Sequence, residues 1–194
     1  MIIGVLAAQG AFAEHITTLN RLNVEAMPVR LPKELERVDG LVIPGGESTA
    51  VSRLMTAYGL VDIVKNLAKN GMALFGTCTG MILMSTGVSN NGVISLGLMN
   101  VKVKRNAFGR QKESFETELA IPALGNEPFP AVFIRAPIIE EAGGDVEILA
   151  RLDNGKIVAA RQGKMLAAAF HPELTDDLRF HQYFLDIVKG KQGN

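Results

Sequence analysis

One cysteine and one histidine–glutamate pair hold the chemistry that this sequence could do. Cys78 is the only cysteine in 194 residues, and it stands at the centre of Gly76-Thr77-Cys78-Thr79-Gly80. An apolar run, Met72-Ala73-Leu74-Phe75, precedes the segment, and Met81-Ile82-Leu83-Met84 follows it. Strand, sharp turn and helix in that order form the thiol version of the G-x-S-x-G nucleophile elbow. The flanking glycines let strand and helix pass closely. The turn exposes its middle residue at a helix N-terminus, where the dipole favours thiolate over thiol. A lone cysteine is more often an inert core residue. The glycines and the strand-to-helix setting favour the nucleophile, which then needs a base.

The chain has three histidines. His15 and His181 fall inside helical patterns and read as surface or packing residues. His171 ends a strand over 165–170 and is followed by Pro172-Glu173. Proline biases the residue before it towards an extended conformation, and in an extended segment residues two apart share a side. Glu173 can therefore orient the His171 imidazole and leave its other nitrogen for the thiol. From the spacing alone, a solvated histidine ahead of a helix is an equal reading. Gly45-Gly46 offers amide groups with no side chain in the way. With the Thr79 amide these could form an oxyanion hole, or the pair could be an ordinary tight turn. Arg105 and Arg135 could each grip an α-carboxylate bidentately, against the plain alternative of exposed arginines. No phosphate-loop pattern is present, and one cysteine with three scattered histidines has no metal-ligand spacing.

These residues must be positioned by a frame. Strands are expected at 2–7, 24–29, 41–43 and just before Cys78, with helices at 11–22, after 48 and at 60–69. Residues 32–38 read as a short polar helix or loop, and Ser48 as a helix cap. Alternating strands and helices predict a parallel sheet covered on both faces, with ligands gathered at the strands' carboxyl ends. Gln9-Gly10, residues 44–49 and Cys78 all fall at such ends. The second half changes character. Asn90-Asn91-Gly92 is a turn, and strands are expected near 101–103, 115–121, 131–134, 146–152, 156–160 and 165–170. Asp153-Asn154-Gly155 reads as a hairpin turn. A final helix over 175–189, capped by Thr175, precedes a flexible tail at 191–194. A single domain over 1–190 is the natural division.

Composition narrows the class. Hydrophobic residues make up 47% of the chain, which suits a globular core. Twenty basic and twenty acidic residues balance, which argues against a nucleic-acid surface. The apolar N-terminus lacks a basic leader and reads as a buried strand. No run approaches the ~20 residues needed to cross a bilayer, and one cysteine cannot form an internal disulfide, so a reducing, cytoplasmic setting without membrane contact is expected.

Together these segments resemble the triad-type (class I) glutamine amidotransferases, through Gly76-Thr77-Cys78-Thr79-Gly80 and His171-Pro172-Glu173. The closer resemblance is to the glutaminase subunits of pyridoxal 5′-phosphate synthase. It rests on Gly4-Val5-Leu6 with Gln9-Gly10 and Glu14-His15, and on Pro44-Gly45-Gly46-Glu47-Ser48-Thr49. Arg105-Asn106-Ala107-Phe108-Gly109-Arg110-Gln111, Phe133-Ile134-Arg135-Ala136-Pro137 and His171-Pro172-Glu173-Leu174 complete it. The resemblance implies an α/β three-layer sandwich, flavodoxin-like, with a mainly parallel central sheet and added strands in the second half. It implies hydrolysis of L-glutamine to L-glutamate and ammonia. Cys78 would be the nucleophile, His171 the base and Glu173 its orienting group, with Gly46 and Thr79 as the oxyanion hole. Gly46, Glu47, Ser48, Arg105, Ile134 and Arg135 would contact glutamine. No cofactor and no metal is implied. The implied partner is a (β/α)8-barrel synthase subunit in a large heteromeric complex on a dodecameric core, docked near Gln9 and the first helix. That partner switches on a glutaminase weak by itself. Two other readings of the same residues are a glutaminase of another synthase, such as imidazole glycerol phosphate synthase, and a non-catalytic thiol sensor. Thr79 departs from the alanine usual after the nucleophile.

Overall fold

The structure, a computed structural model, describes residues 1–89, 93–109 and 113–191. Its first half alternates as the apolar pattern predicts: β1 (Ile2–Leu6), α1 (Phe12–Arg21), β2 (Glu25–Val29), α2 (Pro32–Leu35), β3 (Gly40–Ile43), α3 (Ser48–Ala57), α4 (Leu60–Lys69), β4 (Ala73–Thr77) and α5 (Thr79–Met84). The second half is richer in strands: β5 (Ser85–Ser89), β6 (Met99–Lys104), β7 (Ser114–Leu119), β8 (Phe129–Ile134), β9 (Ile138–Ala142), β10 (Glu147–Arg151), β11 (Ile157–Gln162) and β12 (Met165–Ala168). The helix α6 (Arg179–Val188) ends it.

The large sheet runs β2-β1-β3-β4-β12-β11-β9-β6-β5, with β10 paired to β11 off this path. From β2 to β12 every pairing is parallel. β3, β4 and β12 are buried along their whole length, as strands covered on both faces must be. Beyond β12 the pairings turn antiparallel, with β5 and β6 again parallel at the far edge. β1 leads to β2 on one side and β3 leads to β4 on the other. Right-handed crossovers then put α1 and α3–α4 on opposite faces.

Packing ties this frame together through rings. Phe75 of β4 lies 5.5 Å from both Phe180 and Phe184 of α6, centroid to centroid. Phe180 meets Phe170, Phe170 meets Phe133, and Phe133 stacks on Phe115 at 4.6 Å. That chain of aromatic contacts fastens the separate β7–β8 hairpin to the sheet, and β8 ends at Ile134.

Some local expectations change. The last helix begins at Arg179, not at 175. The Asp177 carboxylate accepts the Arg179 amide at 3.0 Å, and the Thr175 hydroxyl accepts the Asp177 amide at 3.3 Å. These side-chain bonds give the backbone an alternative to the helix. Ser48 is the first helical residue, and Glu47 is the cap: its carboxylate accepts the amides of Thr49 and Ala50 at 2.9 and 2.6 Å. β5 and β9 had no counterpart in the sequence reading. β9 turns from Ile138-Ile139 to Glu140-Glu141, whose carboxylates pair with the ammonium groups of Lys104 and Lys102 on β6. The hairpin turn at Asp153-Asn154-Gly155 joins β10 to β11 as expected. The turn at 90–92, the Arg110-Gln111 end of one motif and the tail at 192–194 lie outside the described residues.

Candidate active site

β1, β3, β4 and β12 are neighbours and parallel, so the segments leaving their carboxyl ends meet along one edge. β1 leads to Gln9, β3 to Gly45-Gly46-Glu47, β4 to Cys78 and β12 to His171. Arg105 arrives from the end of β6, and Ile134-Arg135 from the end of β8. These segments enclose a cavity of about 420 Å³.

Cys78 sits at φ 48°, ψ −100°, a conformation that side chains rarely adopt. Such a residue costs on the order of 1–3 kcal/mol and persists only where its surroundings over-determine it. Here the Cys78 amide donates to the Ala168 carbonyl of β12 at 2.8 Å, and its carbonyl accepts the Ile82 amide of α5 at 3.3 Å. Gly80 is required two residues on: a Cβ there would overlap the Ile43 carbonyl oxygen. The result is a thiol 8% exposed, with Sγ 3.9 Å from the Ile134 carbonyl oxygen.

His171 is held by its own amide, which donates to the Val132 carbonyl at 2.8 Å. Pro172 opens a single 3₁₀ turn, and the carboxylate of Glu173 returns to the ring, Oε1 to Nδ1 at 2.7 Å. Nδ1 therefore carries a proton, and Nε2 is left for the thiol. Burial lowers the proton affinity of His171. Its hydrogen bonds with Cys78 and Glu173 outweigh that and raise its pKa to about 10. Burial likewise opposes ionisation of Glu173, but the influence of His15 and the bond from His171 hold its carboxyl below the usual range. A thiol beside an imidazole that can take its proton, with an ionised carboxylate behind the ring, can add sulfur to a carbonyl and protonate the departing amine.

The turn on the other side of the thiol is differently held. The Gly45 amide donates to Thr77 Oγ1 at 3.1 Å, and a Cβ at Gly45 would overlap the His171 ring. The Thr79 hydroxyl donates to the Gly46 carbonyl at 2.5 Å, and the Glu47 amide donates to Gln9 Oε1 at 2.8 Å. The Gly46–Glu47 peptide thus directs its oxygen at the elbow and its N–H away. Hydrogen bonds from Thr49 and Ala50 keep the Glu47 carboxyl below its ordinary range, with Arg105 adding to the effect. Arg135 is exposed, at φ 42°.

The family model of the SNO glutamine amidotransferases matches residues 5–189. The chain belongs to the SNO glutamine amidotransferase family. A relative from Pelotomaculum thermopropionicum, named pyridoxal 5′-phosphate synthase subunit PdxT, is 56% identical over 186 residues, covering 96% of this chain and 94% of the relative. One of the same name from Herpetosiphon aurantiacus is 54% identical over 190 residues, covering 96% and 100%. A crystal structure of a glutamine amidotransferase matches with a TM-score of 0.92 at 46% identity, over 97% of this chain and 100% of that one. PurLQS from Thermotoga maritima, at 16% identity and a TM-score of 0.69 over 95% and 97%, shares the fold.

In this SNO family member, Gly46, Glu47, Ser48, Cys78, Thr79, Arg105, Ile134, Arg135 and His171 all border one cavity. Glu173 does not; it stands behind His171 and borders a second cavity of about 380 Å³ against α1. Residues beyond the sequence-level candidates join the site. Asn106, Ile82 and Leu174 complete the cavity wall. His15 and His181, expected at the surface or in packing, are fully buried; His15 meets Glu173 and Thr77 from behind, and His181 meets His15. The available signal was helical spacing: His15 shares a face with Leu19, and His181 with Phe184 and Leu185.

Proposed function

We propose that this chain is the glutaminase subunit of a pyridoxal 5′-phosphate synthase, with Cys78, His171 and Glu173 as its triad. The observation that carries the assignment is the His171–Glu173 bond at 2.7 Å beside a thiol on a strained elbow, within a glutamine amidotransferase family. His171 Nε2 takes the Cys78 thiol proton as Sγ adds to the side-chain amide carbon of glutamine. The proton that His171 holds on Nε2 passes to the amide nitrogen, the C–N bond breaks and ammonia leaves. Water then adds to the thioester with His171 as base. Glutamate departs, and the thiol–imidazole pair is restored. Glu173 keeps the imidazole in one tautomer and orientation throughout.

Gly46 and Thr79 amides serve as the oxyanion hole, and Gly46, Glu47, Ser48, Arg105, Ile134 and Arg135 as the glutamine site. The exposed Arg135 and the half-buried Arg105 are suited to the substrate's α-carboxylate. A carbonyl oxygen aimed at the elbow repels a developing oxyanion. The bond from the Thr79 hydroxyl to the Gly46 oxygen therefore supports a resting state of low activity. The partner that lifts it is a (β/α)8-barrel synthase subunit, assembled as a dodecameric core, which receives the ammonia. Gln9 supports docking at the first helix, because its side chain holds the Glu47 amide and its exposed position leaves it open to a partner. Among the described residues no helix is long and apolar enough to cross a membrane. A cytoplasmic setting suits the reaction.

The test is ammonia release from glutamine, with and without the purified synthase subunit, for the native chain and Cys78→Ala. Activity that rises with the partner and disappears in the variant is expected. Activity indifferent to the partner would overturn the synthase assignment. Activity that survives Cys78→Ala would overturn the triad.

A further inference from the structure

Two histidines that this reaction does not use are sealed behind the pocket. His15 on α1 and His181 on α6 are both 0% exposed. His15 Nδ1 lies 2.8 Å from His181 Nε2, and His15 Nε2 lies 3.1 Å from Thr77 Oγ1. The same Nε2 is 3.3 Å from Glu173 Oε2. Among the described residues, that carboxylate oxygen has no hydrogen bond, and neither does His181 Nδ1.

The protons can be placed by elimination. Burial lowers the proton affinity of His15, against the pull of Glu173 and Glu14 and together with the nearby His171. Burial and the neighbouring His15 lower that of His181 further. Both rings are neutral at pH 7, each with one N–H. With the His15 proton on Nδ1, its Nε2 lone pair would face the Glu173 carboxylate. His181 would then accept at Nε2 and keep an unpaired N–H at Nδ1 in a dry interior. With the proton on Nε2, the N–H edge of His15 faces Thr77 and Glu173. His181 then donates from Nε2 to His15 Nδ1 and leaves Nδ1 as a bare acceptor. An N–H faces a carboxylate more favourably than a lone pair does, and His181 is spared an unpaired N–H, so Glu173 and His181 both favour the second arrangement, with the Thr77 hydroxyl accepting from His15 as well as from the Gly45 amide.

We infer that His15 is a positioning residue for glutamine hydrolysis, its Nε2–H edge shared between the Thr77 hydroxyl and the second carboxylate oxygen of Glu173. The inference rests on the reading of Cys78, His171 and Glu173 as the triad. A carboxylate fixed at Oε1 alone can still rotate about its last bond. A neutral N–H edge against Oε2 restrains that rotation without adding a charge that would weaken the pull of Glu173 on His171. The same ring touches the other side of the site, because Thr77 Oγ1 also accepts the Gly45 amide at 3.1 Å. His181 sets the tautomer. His15 is therefore the junction between the carboxylate that aims the base and the turn that carries the oxyanion amides.

The test uses the full chain with the synthase subunit present. Glutamine kcat and KM are measured for His15→Asn and His15→Gln, each with Glu173 and with Glu173→Gln, and unfolding midpoints are recorded. Asparagine reaches only the place of Nδ1 and keeps His181 partnered. Glutamine instead places an N–H near Nε2. The expected result is a kcat lowered about 10–100-fold in His15→Asn, the loss of an N–H edge held against a charged oxygen, with KM little changed. His15→Gln recovers most of that rate, and on Glu173→Gln the asparagine change costs less than about twofold more. Equal losses with and without Glu173, or equal losses for asparagine and glutamine, would overturn the inference. If His15→Asn does not fold, His15→Leu takes its place in the same cycle. Cys78→Ala separates the two readings. Hydrolysis that survives it refutes the triad, whereas hydrolysis that needs Cys78 but ignores His15 refutes only the role of His15.

Discussion

The two sides of the Cys78 thiol are built differently. On one side, His171, Glu173, His15 and His181 are all buried, and their bonds to one another are closed to water. On the other side, Gly46, Glu47 and Gln9 are exposed, and the turn is held by the Gln9 side chain and by the Thr79 hydroxyl. Buried polar contacts are expensive to break because nothing replaces them. Exposed ones exchange with water or with a partner at little net cost. The acid–base side is thus fixed before substrate arrives, while the oxyanion side can be rearranged. Gly46 is suited to that, since a peptide next to glycine turns over with little steric cost.

The comparison can be broken most severely at its centre. Cys78→Ala removes the group that both sides serve, and hydrolysis is expected to fall on the order of 10⁴–10⁶-fold with the fold retained, read as ammonia release. Glu173→Gln attacks the fixed side alone. The amide can present a hydrogen to His171 Nδ1 where an acceptor is needed, so a kcat loss of roughly 10²–10⁴-fold is expected in the same assay.

Stability against pH distinguishes the buried side without any substrate. His15 and His181 have lowered pKa values, so the unfolded chain binds protons below about 6.5 that the folded chain refuses. Their contribution is complete above 6.5 and declines as pH falls, by roughly 1.4 kcal/mol per pH unit for each histidine. His171, raised to about 10, has the opposite sign: its contribution is complete below 6.5 and is lost as pH rises from there to about 10. Urea unfolding at pH 5, 6.5 and 9 should find the maximum near 6.5. His181→Phe should flatten the acid limb and His171→Asn the alkaline one. Limbs unchanged by these substitutions would show that the histidines are not what sets them.

The smallest expected effect sharpens the other side. Thr79→Ala frees the Gly46 carbonyl from its hydroxyl donor, and glutaminase activity without a partner should rise roughly 2–10-fold, the worth of one neutral hydrogen bond. Thr79→Ser keeps the donor and should leave the rate near native. A fall in Thr79→Ala would mean that the hydroxyl assists the reaction instead of restraining the turn.

Legibility from sequence follows the same division of local from distant. Cys78 between its glycines, and His171 two residues before Glu173, are patterns within a few residues, and local geometry carries them into the structure. The parallel half of the sheet was legible for a similar reason, since each strand and helix there has its own apolar signature. His15 and His181 are 166 residues apart in the chain, and each meets its partner only because α1 and α6 cover the same face of β4, where Phe75 touches both rings. Nothing in the residues around either one separates a buried, bonded histidine from an exposed one except helical spacing. The cap at Glu47 rather than Ser48 turned on one extended residue, at ψ 114°. The late start of α6 turned on the Asp177 carboxylate taking the Arg179 amide.

The backbone at Cys78 has a further consequence. A residue at φ 48°, ψ −100° is one that glycine would occupy with less strain. Selection for folding alone would therefore favour the loss of the nucleophile. Cys78→Gly should be inert towards glutamine and yet unfold about 1 kcal/mol harder than the native chain, to the extent that relieved strain exceeds the added freedom of the unfolded glycine. The thiol is retained against the stability of the molecule that carries it, so a lineage released from the need for ammonia should lose this residue early and without harm to its fold.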